Sequence, residues 1–231
     1  MQLSEIEVKE FQSLDFKALE SLQSKKDLWL KQRLGKFTAS EVHRLMTSED
    51  SPTLSKGAQT YVREKVVETL TGIPKACFTS EAIVWGNQIE SKAIAYFEAK
   101  TDKKFSYTGD DQKFIALDFF GATPDGINQM EGIEVKCPNS TTHLHYLENI
   151  KNQDDLKRVK PEYYWQIMLC MLVTGLEKFY FISFDPRFKD EHLKMLAVLV
   201  VRDELAIDRM LTKLNLANVL KNKIIQELKN K

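Results

Sequence analysis

The stretch EYYWQIMLCMLVT, residues 162–174, constrains the fold most. Pro161 suits the first turn of a helix and Gly175 its end, and the residues between them are apolar nearly all round. Such a helix must be covered on every side. KFYFISF and LKMLAVLVV follow it and read as buried strands, so the partner that covers it includes a sheet. Upstream, residues 27–34 read as a helix stopped by Gly35. Thr38 with Glu41 has the pattern of a capping box before VHRLM. A helix over 61–70 ends at Gly72, and a longer one spans about 81–100. KFIAL, FFGAT and GIEVKC are short, rich in branched and aromatic residues, and separated by turn residues, which predicts adjacent antiparallel strands at the centre of the sheet. The segment before Pro161, with Lys151, Lys157, Arg158 and Lys160, reads as a polar loop. A last amphipathic helix carries Leu205, Leu211, Leu214, Leu220, Ile224 and Leu228. This order predicts an α/β fold with a central mixed β-sheet flanked by helices.

With 231 residues and 43% apolar side chains, the chain can bury a full core. The absence of repeats, low-complexity tracts and linkers predicts a single domain over 1–231, its core about 27–202 and a C-terminal helix over 203–231. No run of eighteen apolar residues occurs, and the acidic start MQLSEIEVKEF lacks the basic patch and apolar stretch of a signal peptide, so a soluble, intracellular protein is expected. Cys77, Cys137 and Cys170 are too scattered for a disulfide framework, a zinc knuckle or an iron–sulfur site, and read as free thiols. Thirty-three basic residues balance thirty-three acidic ones, so any nucleic-acid partner must meet a locally basic surface.

The candidate chemistry lies in GATPDGINQMEGIEVKCP, residues 121–138. Alternation along the strand puts Glu134 and Lys136 on one face and Ile133, Val135 and Cys137 on the other. A short turn brings Asp125 back beside Glu134. Two carboxylates, the Val135 carbonyl and water suit Mg²⁺ better than zinc, and a neighbouring lysine can orient or deprotonate a metal-bound water. An exposed Glu–Lys pair on a wet strand face has the same pattern, so the motif alone leaves both readings open. Two further residues bear on the choice. Glu90 shares a helical stripe with Ala93, Ile94 and Phe97, where a lone acid is costly without a partner. Gln166 interrupts the buried helix, where its amide bonds either backbone or a site. Lys25, Lys26, Lys31, Arg33 and Lys36 precede a helix start near Thr38 or Ser40, a setting that holds phosphate or is simply a solvated face. Lys151, Lys157, Arg158 and Lys160 either track a DNA backbone or balance Asp154 and Asp155. His143 and His145 in HLH point apart on a helix and make a poor zinc pair.

WLKQRLGKFTASEVH, WGNQIESKAIAYFE, TPDGI with GIEVKCP, YYWQIMLCMLVTG and YFISFDPRFK resemble, block by block and in order, the PD-(D/E)xK nucleases of the phage lambda exonuclease or YqaJ-type viral recombinase group, over about Trp29–Arg202. The resemblance implies a restriction-endonuclease-like core and a Mg²⁺-dependent exonuclease. Such an enzyme digests one strand of linear double-stranded DNA from its 5′ end, leaving a 3′ single strand for a single-strand annealing recombination protein. It implies that Asp125 and Glu134, with the Val135 carbonyl, hold the metal and that Lys136 activates the water. Glu90 would complete the acidic cluster and Gln166 would position water or lysine. Arg33 and Ser40 would anchor the 5′-phosphate, and Ile83 would be the wedge that splays the terminal pairs. Mn²⁺ is expected to substitute, and Ca²⁺ to bind without turnover because its looser coordination suits the water poorly. A homotrimeric ring and a phage- or prophage-encoded protein of the bacterial cytoplasm are also implied. This chain has Thr142 where the group can carry an arginine, which bears on 5′-phosphate preference. An endonuclease or junction resolvase on the same core, and a catalytically silent DNA-binding subunit, are the alternatives.

Overall fold

A computed structural model describes residues 27–74 and 81–230, without the side chains of 81–83 and Asn87. Lys25, Lys26 and Cys77 lie outside the described residues, as does the side chain of Ile83. The chain runs as α1 (27–33), β1 (Phe37–Thr38), a 3-10 helix (Ala39–Leu45), α2 (Lys56–Thr71), α3 (Glu81–Thr101), β2 (Ile115–Leu117), β3 (Phe120–Ala122), β4 (Gly126–Ile127) and β5 (Gly132–Lys136). It continues through α4 (Ser140–Asn149), α5 (Gln153–Val159), α6 (Pro161–Thr174), β6 (Lys178–Phe184), β7 (Met195–Val201) and α7 (Glu204–Lys229).

The strands form two mixed sheets, one ordered β1-β3-β2 and the other β4-β5-β6-β7. The expected run of adjacent antiparallel strands is therefore split. β2 and β3 do pair antiparallel, but β5 leaves them, takes the two-residue β4 on one side and runs parallel to β6 on the other. The sequence shows which segments are strands; the helices that return the chain decide which strands meet. Here α4, α5 and α6 form the crossover that a parallel pair needs. The expected polar loop accordingly contains α5, whose first turn is capped by Asn152 accepting from Asp155 N at 3.0 Å.

α6 is the helix its composition demands: Pro161 starts it, Gly175 ends it in the left-handed conformation, and Ile167, Met168, Leu169, Cys170 and Met171 are fully buried. One face of the four-stranded sheet, including Phe179, Phe181, Val198 and Val200, shares a core with α6, α2 and α7. The opposite face, with Ile133, Val135, Ile182 and Phe184, packs on Ile89, Ala93, Ile94 and Phe97 of α3. The alternation read from GIEVKC thus holds: Glu134 pairs in register with Phe181 and so faces α6, while Val135 faces α3.

Two local expectations are corrected. Thr38 makes no capping bond: its backbone pairs with Gly121 and its Oγ1 is buried without a partner. Glu41 instead binds Arg44 at 3.1 Å. On α7 the buried stripe is Ala206, Ile207, Met210, Leu214 and Ala217, with Lys213 and Lys221 beside it, whereas Leu205 and Leu228 face outward. The lysines belong there because their ammonium groups meet backbone carbonyls: Lys213 donates to Ser51 and Thr53, and Lys221 to Gly35.

Candidate functional site

β4 begins only at Gly126, opposite Ile133, so the edge of β5 beyond Ile133 has no strand partner on that side. The Asp125 carboxylate replaces it, Oδ2 accepting the Val135 N–H at 2.7 Å. A strand residue directs its N–H and C=O to the same edge, so the Val135 carbonyl opens toward Asp125 as well. The turn that brings β4 back is locked by Asn128, whose Oδ1 accepts from Met130 N and Glu131 N, each at 2.9 Å.

Across this edge the groups singled out in the sequence come together. Lys136 Nζ donates to Glu134 Oε1 at 2.5 Å, and Gln166 Nε2 of α6 donates to the same oxygen at 2.6 Å. The interruption of the buried helix therefore serves Glu134 and not the backbone. Glu90 of α3 arrives from the other face of the sheet, and one amide joins it to Asp125: Gln112 Nε2 donates to Glu90 Oε1 at 2.9 Å and to Asp125 Oδ1 at 3.2 Å. Gln112 was not legible in the sequence, because it sits in the polar turn GDDQK with no periodicity or motif to mark it.

Glu134 is fully buried, and its Oε2 has no hydrogen-bond partner. A bare carboxylate oxygen in that setting is costly unless a proton or a cation meets it. Burial first, then the charge of Asp125, pushes the Glu134 carboxyl up to about 8. The same two causes push Glu90 up to about 7. Asp125 is raised by burial against the opposing pull of Lys136. Burial works against the charge on Lys136, but Glu134 and Asp125 outweigh it and hold the ammonium above its ordinary range. Its Nζ also lies 5.1 Å from the Tyr163 ring centre. Proton retention by the carboxyls and the bare Oε2 both mark a cluster short of positive charge, which fits a divalent cation. Among the described residues no three His, Cys, Asp or Glu side chains form a ready-made cage.

Arg33 and Ser40 line a pocket of about 310 Å³ with Trp29, Thr38, Glu41 and Lys65. The Arg33 guanidinium stacks 4.0 Å over Trp29, whose indole N–H donates to Thr123 Oγ1 at 3.1 Å, two residues before Asp125. Thr38 Oγ1, on the pocket wall, is buried without a partner. A wider hollow of about 730 Å³, lined by Lys103, Met130, Glu131 and Lys178, lies at the opposite end of β5 and brings no carboxylate cluster with it.

Other candidates have partners within the fold. His143 is buried, its Nδ1 2.7 Å from Ser183 Oγ and its Nε2 2.9 Å from the Leu193 carbonyl, while His145 contacts Asn149. Arg158 pairs with Asp155, Lys160 with Glu162 and Lys157 with Glu49. Thr142 lies in the first turn of α4, its N–H held by Asn139 Oδ1 at 2.8 Å. Cys137 and Cys170 are buried free thiols.

A family model, the YqaJ-like viral recombinase domain, matches residues 28–177. Two solved structures of an alkaline exonuclease (LHK-Exo) from Laribacter hongkongensis, one in complex with dAMP, are similar at 28% identity and a TM-score of 0.75, covering 88% of this chain and 96% of theirs. A phage-related exonuclease from Haemophilus somnus 129PT shares the fold at 16% identity and a TM-score of 0.68, over 84% of this chain and 96% of that one. No curated protein sequence matches significantly.

Proposed function

The chain belongs to the YqaJ-like viral recombinase domain family, a membership that supports a nuclease role, and from that premise we propose that it is a Mg²⁺-dependent exonuclease. In this reading it digests one strand of linear duplex DNA from the 5′ end as a single nuclease domain. The observation that carries the proposal is the buried Glu134 carboxylate, with one oxygen bare, beside Asp125 and Lys136 on the open edge of β5.

Asp125 and Glu134, with the Val135 carbonyl, would hold the ion. When bound, Mg²⁺ supplies a water of lowered pKa and neutralises charge at the scissile phosphate. Lys136 would orient the attacking water and give a positive partner to the developing oxyanion. Gln166 fixes the Glu134 carboxylate by its hydrogen bond, and Glu90 adds negative charge through the Gln112 bridge. Arg33, fixed by Trp29, and Ser40 bind the terminal 5′-phosphate on the wall of this pocket. Ile83 acts as the wedge that opens the terminal pairs. The hydrogen bond from Trp29 to Thr123 ties this anchor to the segment that carries Asp125, which supports the two acting on one strand end. The resulting 3′ single strand goes to an annealing protein, and the active assembly is a homotrimeric ring, as in a phage-encoded recombination system acting in the bacterial cytoplasm. Mn²⁺ replaces Mg²⁺; Ca²⁺ binds without turnover.

The purified chain with Mg²⁺ is offered linear duplex, with and without a 5′-phosphate, and covalently closed circular duplex. Release of mononucleotides from the linear substrate alone, faster with the phosphate, is expected. Cutting of the circle would instead favour an endonuclease or junction resolvase.

A further inference from the structure

Gln112 touches two of the groups on which the proposed reaction depends. Its side-chain nitrogen donates one hydrogen to Glu90 Oε1 at 2.9 Å and the other to Asp125 Oδ1 at 3.2 Å. These carboxylates come from different elements, α3 and the segment before β4, and like charges so placed repel each other. The positive end of one amide dipole lies between them.

Gln112 is held at that place from both sides. The turn Gly109–Asp111 precedes it, and its own N–H donates to the Gly109 carbonyl at 3.2 Å. Tyr107 and Gly109 take left-handed conformations, at φ 58° and 53°, to make the turn. Two residues later Phe114 packs over Gly121, where a Cβ would meet the ring at 2.5 Å, and Ile115 enters β2. The chain on either side is thus tied down, so the amide meets the carboxylates from a fixed base. Asp125 is likewise held at both oxygens, Oδ2 by the Val135 N–H and Oδ1 by Gln112.

We propose that Gln112 is a positioning residue of the metal site, fixing the separation and orientation of Glu90 and Asp125 and thereby setting divalent-cation affinity, with no part in holding DNA. The inference rests on the metal-site reading above. Partners that orient metal ligands typically contribute about 10- to 100-fold in affinity.

The test uses the full chain and Mn²⁺ as the probe, with free Mn²⁺ measured by its electron paramagnetic resonance signal. Gln112→Met keeps the length and removes the amide; Gln112→Ala removes the side chain. A shared effect therefore separates the amide from packing. Both variants are expected to bind Mn²⁺ about 10-fold or more weakly. The Mn²⁺ concentration for half-maximal digestion of linear duplex should rise by the same factor, and KM for the DNA should not move. Unchanged Mn²⁺ affinity in both variants, or an effect confined to KM for DNA, overturns the assignment. Failure of the wild-type chain to bind Mn²⁺ overturns the underlying metal-site reading instead.

Discussion

Glu134 is where burial and charge conflict most sharply, and the conflict makes predictions at the scale of the residue. In the metal-free protein burial and Asp125 raise Glu134 from 4.5 to about 8. Burial and Asp125 likewise raise Glu90 from 4.5 to about 7. The folded state therefore holds protons that the unfolded chain releases. The stability contributed by the protonated forms is complete below pH 4.5 and is lost as pH rises through about 7 and then 8. Thermal midpoints of metal-free protein should accordingly fall from about pH 5 to about pH 9, and Ca²⁺ should restore more of the midpoint at the alkaline end, since binding needs the ionised carboxylates. A flat profile would show that the carboxyls are not poised in this way. Glu134→Gln should abolish turnover, because it removes the metal ligand, and should flatten the alkaline fall of the metal-free midpoint, because the carboxyl that titrates at about 8 is gone. Arg33→Ala should erase any preference for 5′-phosphorylated ends, read as the ratio of rates on phosphorylated and hydroxyl ends. At this scale Glu90 and Gln166 were legible because an acid on an apolar stripe and an amide in a buried helix break the surrounding pattern, while Asp125, Glu134 and Lys136 were legible only by their spacing. Gln112 was not, because a glutamine in a polar turn violates nothing.

At the scale of elements, the sequence is informative wherever one face must be buried. α6 and the alternation of β5 follow directly from their side chains. What it leaves open is pairing: β5 runs parallel to β6 and not beside β3, a choice made by the crossover through α4–α6. Gly132 records that choice. A Cβ there would meet the Phe179 ring at 2.3 Å, so the parallel pair closes only over a glycine. Gly132→Ala is expected to cost about 2 kcal/mol by overpacking, seen as a reduced denaturation midpoint. α7 offers a second case, because its buried lysines sit where an amphipathic reading expects leucine. Lys213→Met leaves the Ser51 and Thr53 carbonyls without their donor, and a loss of about 2 kcal/mol is expected in the same measurement. An unchanged midpoint would show that solvent reaches those carbonyls.

Across the whole molecule, the four-stranded sheet lies between two cores, α6 with α2 and α7 on one side and α3 on the other. The acidic cluster forms where groups from both faces meet at the edge left open by the short β4. No helix among the described residues is long and apolar enough to cross a membrane. The proposed ring predicts a trimer by light scattering, and a monomer would argue against processive digestion. If this edge hydrolyses DNA with Lys136 acting on the water, Lys136→Ala assayed on 5′-phosphorylated linear duplex in saturating Mg²⁺, with Mn²⁺ binding measured on the same preparation, should lower the rate by about 10²- to 10⁴-fold with the cation still bound. Undiminished digestion by a Lys136→Ala preparation free of other nucleases would contradict that role.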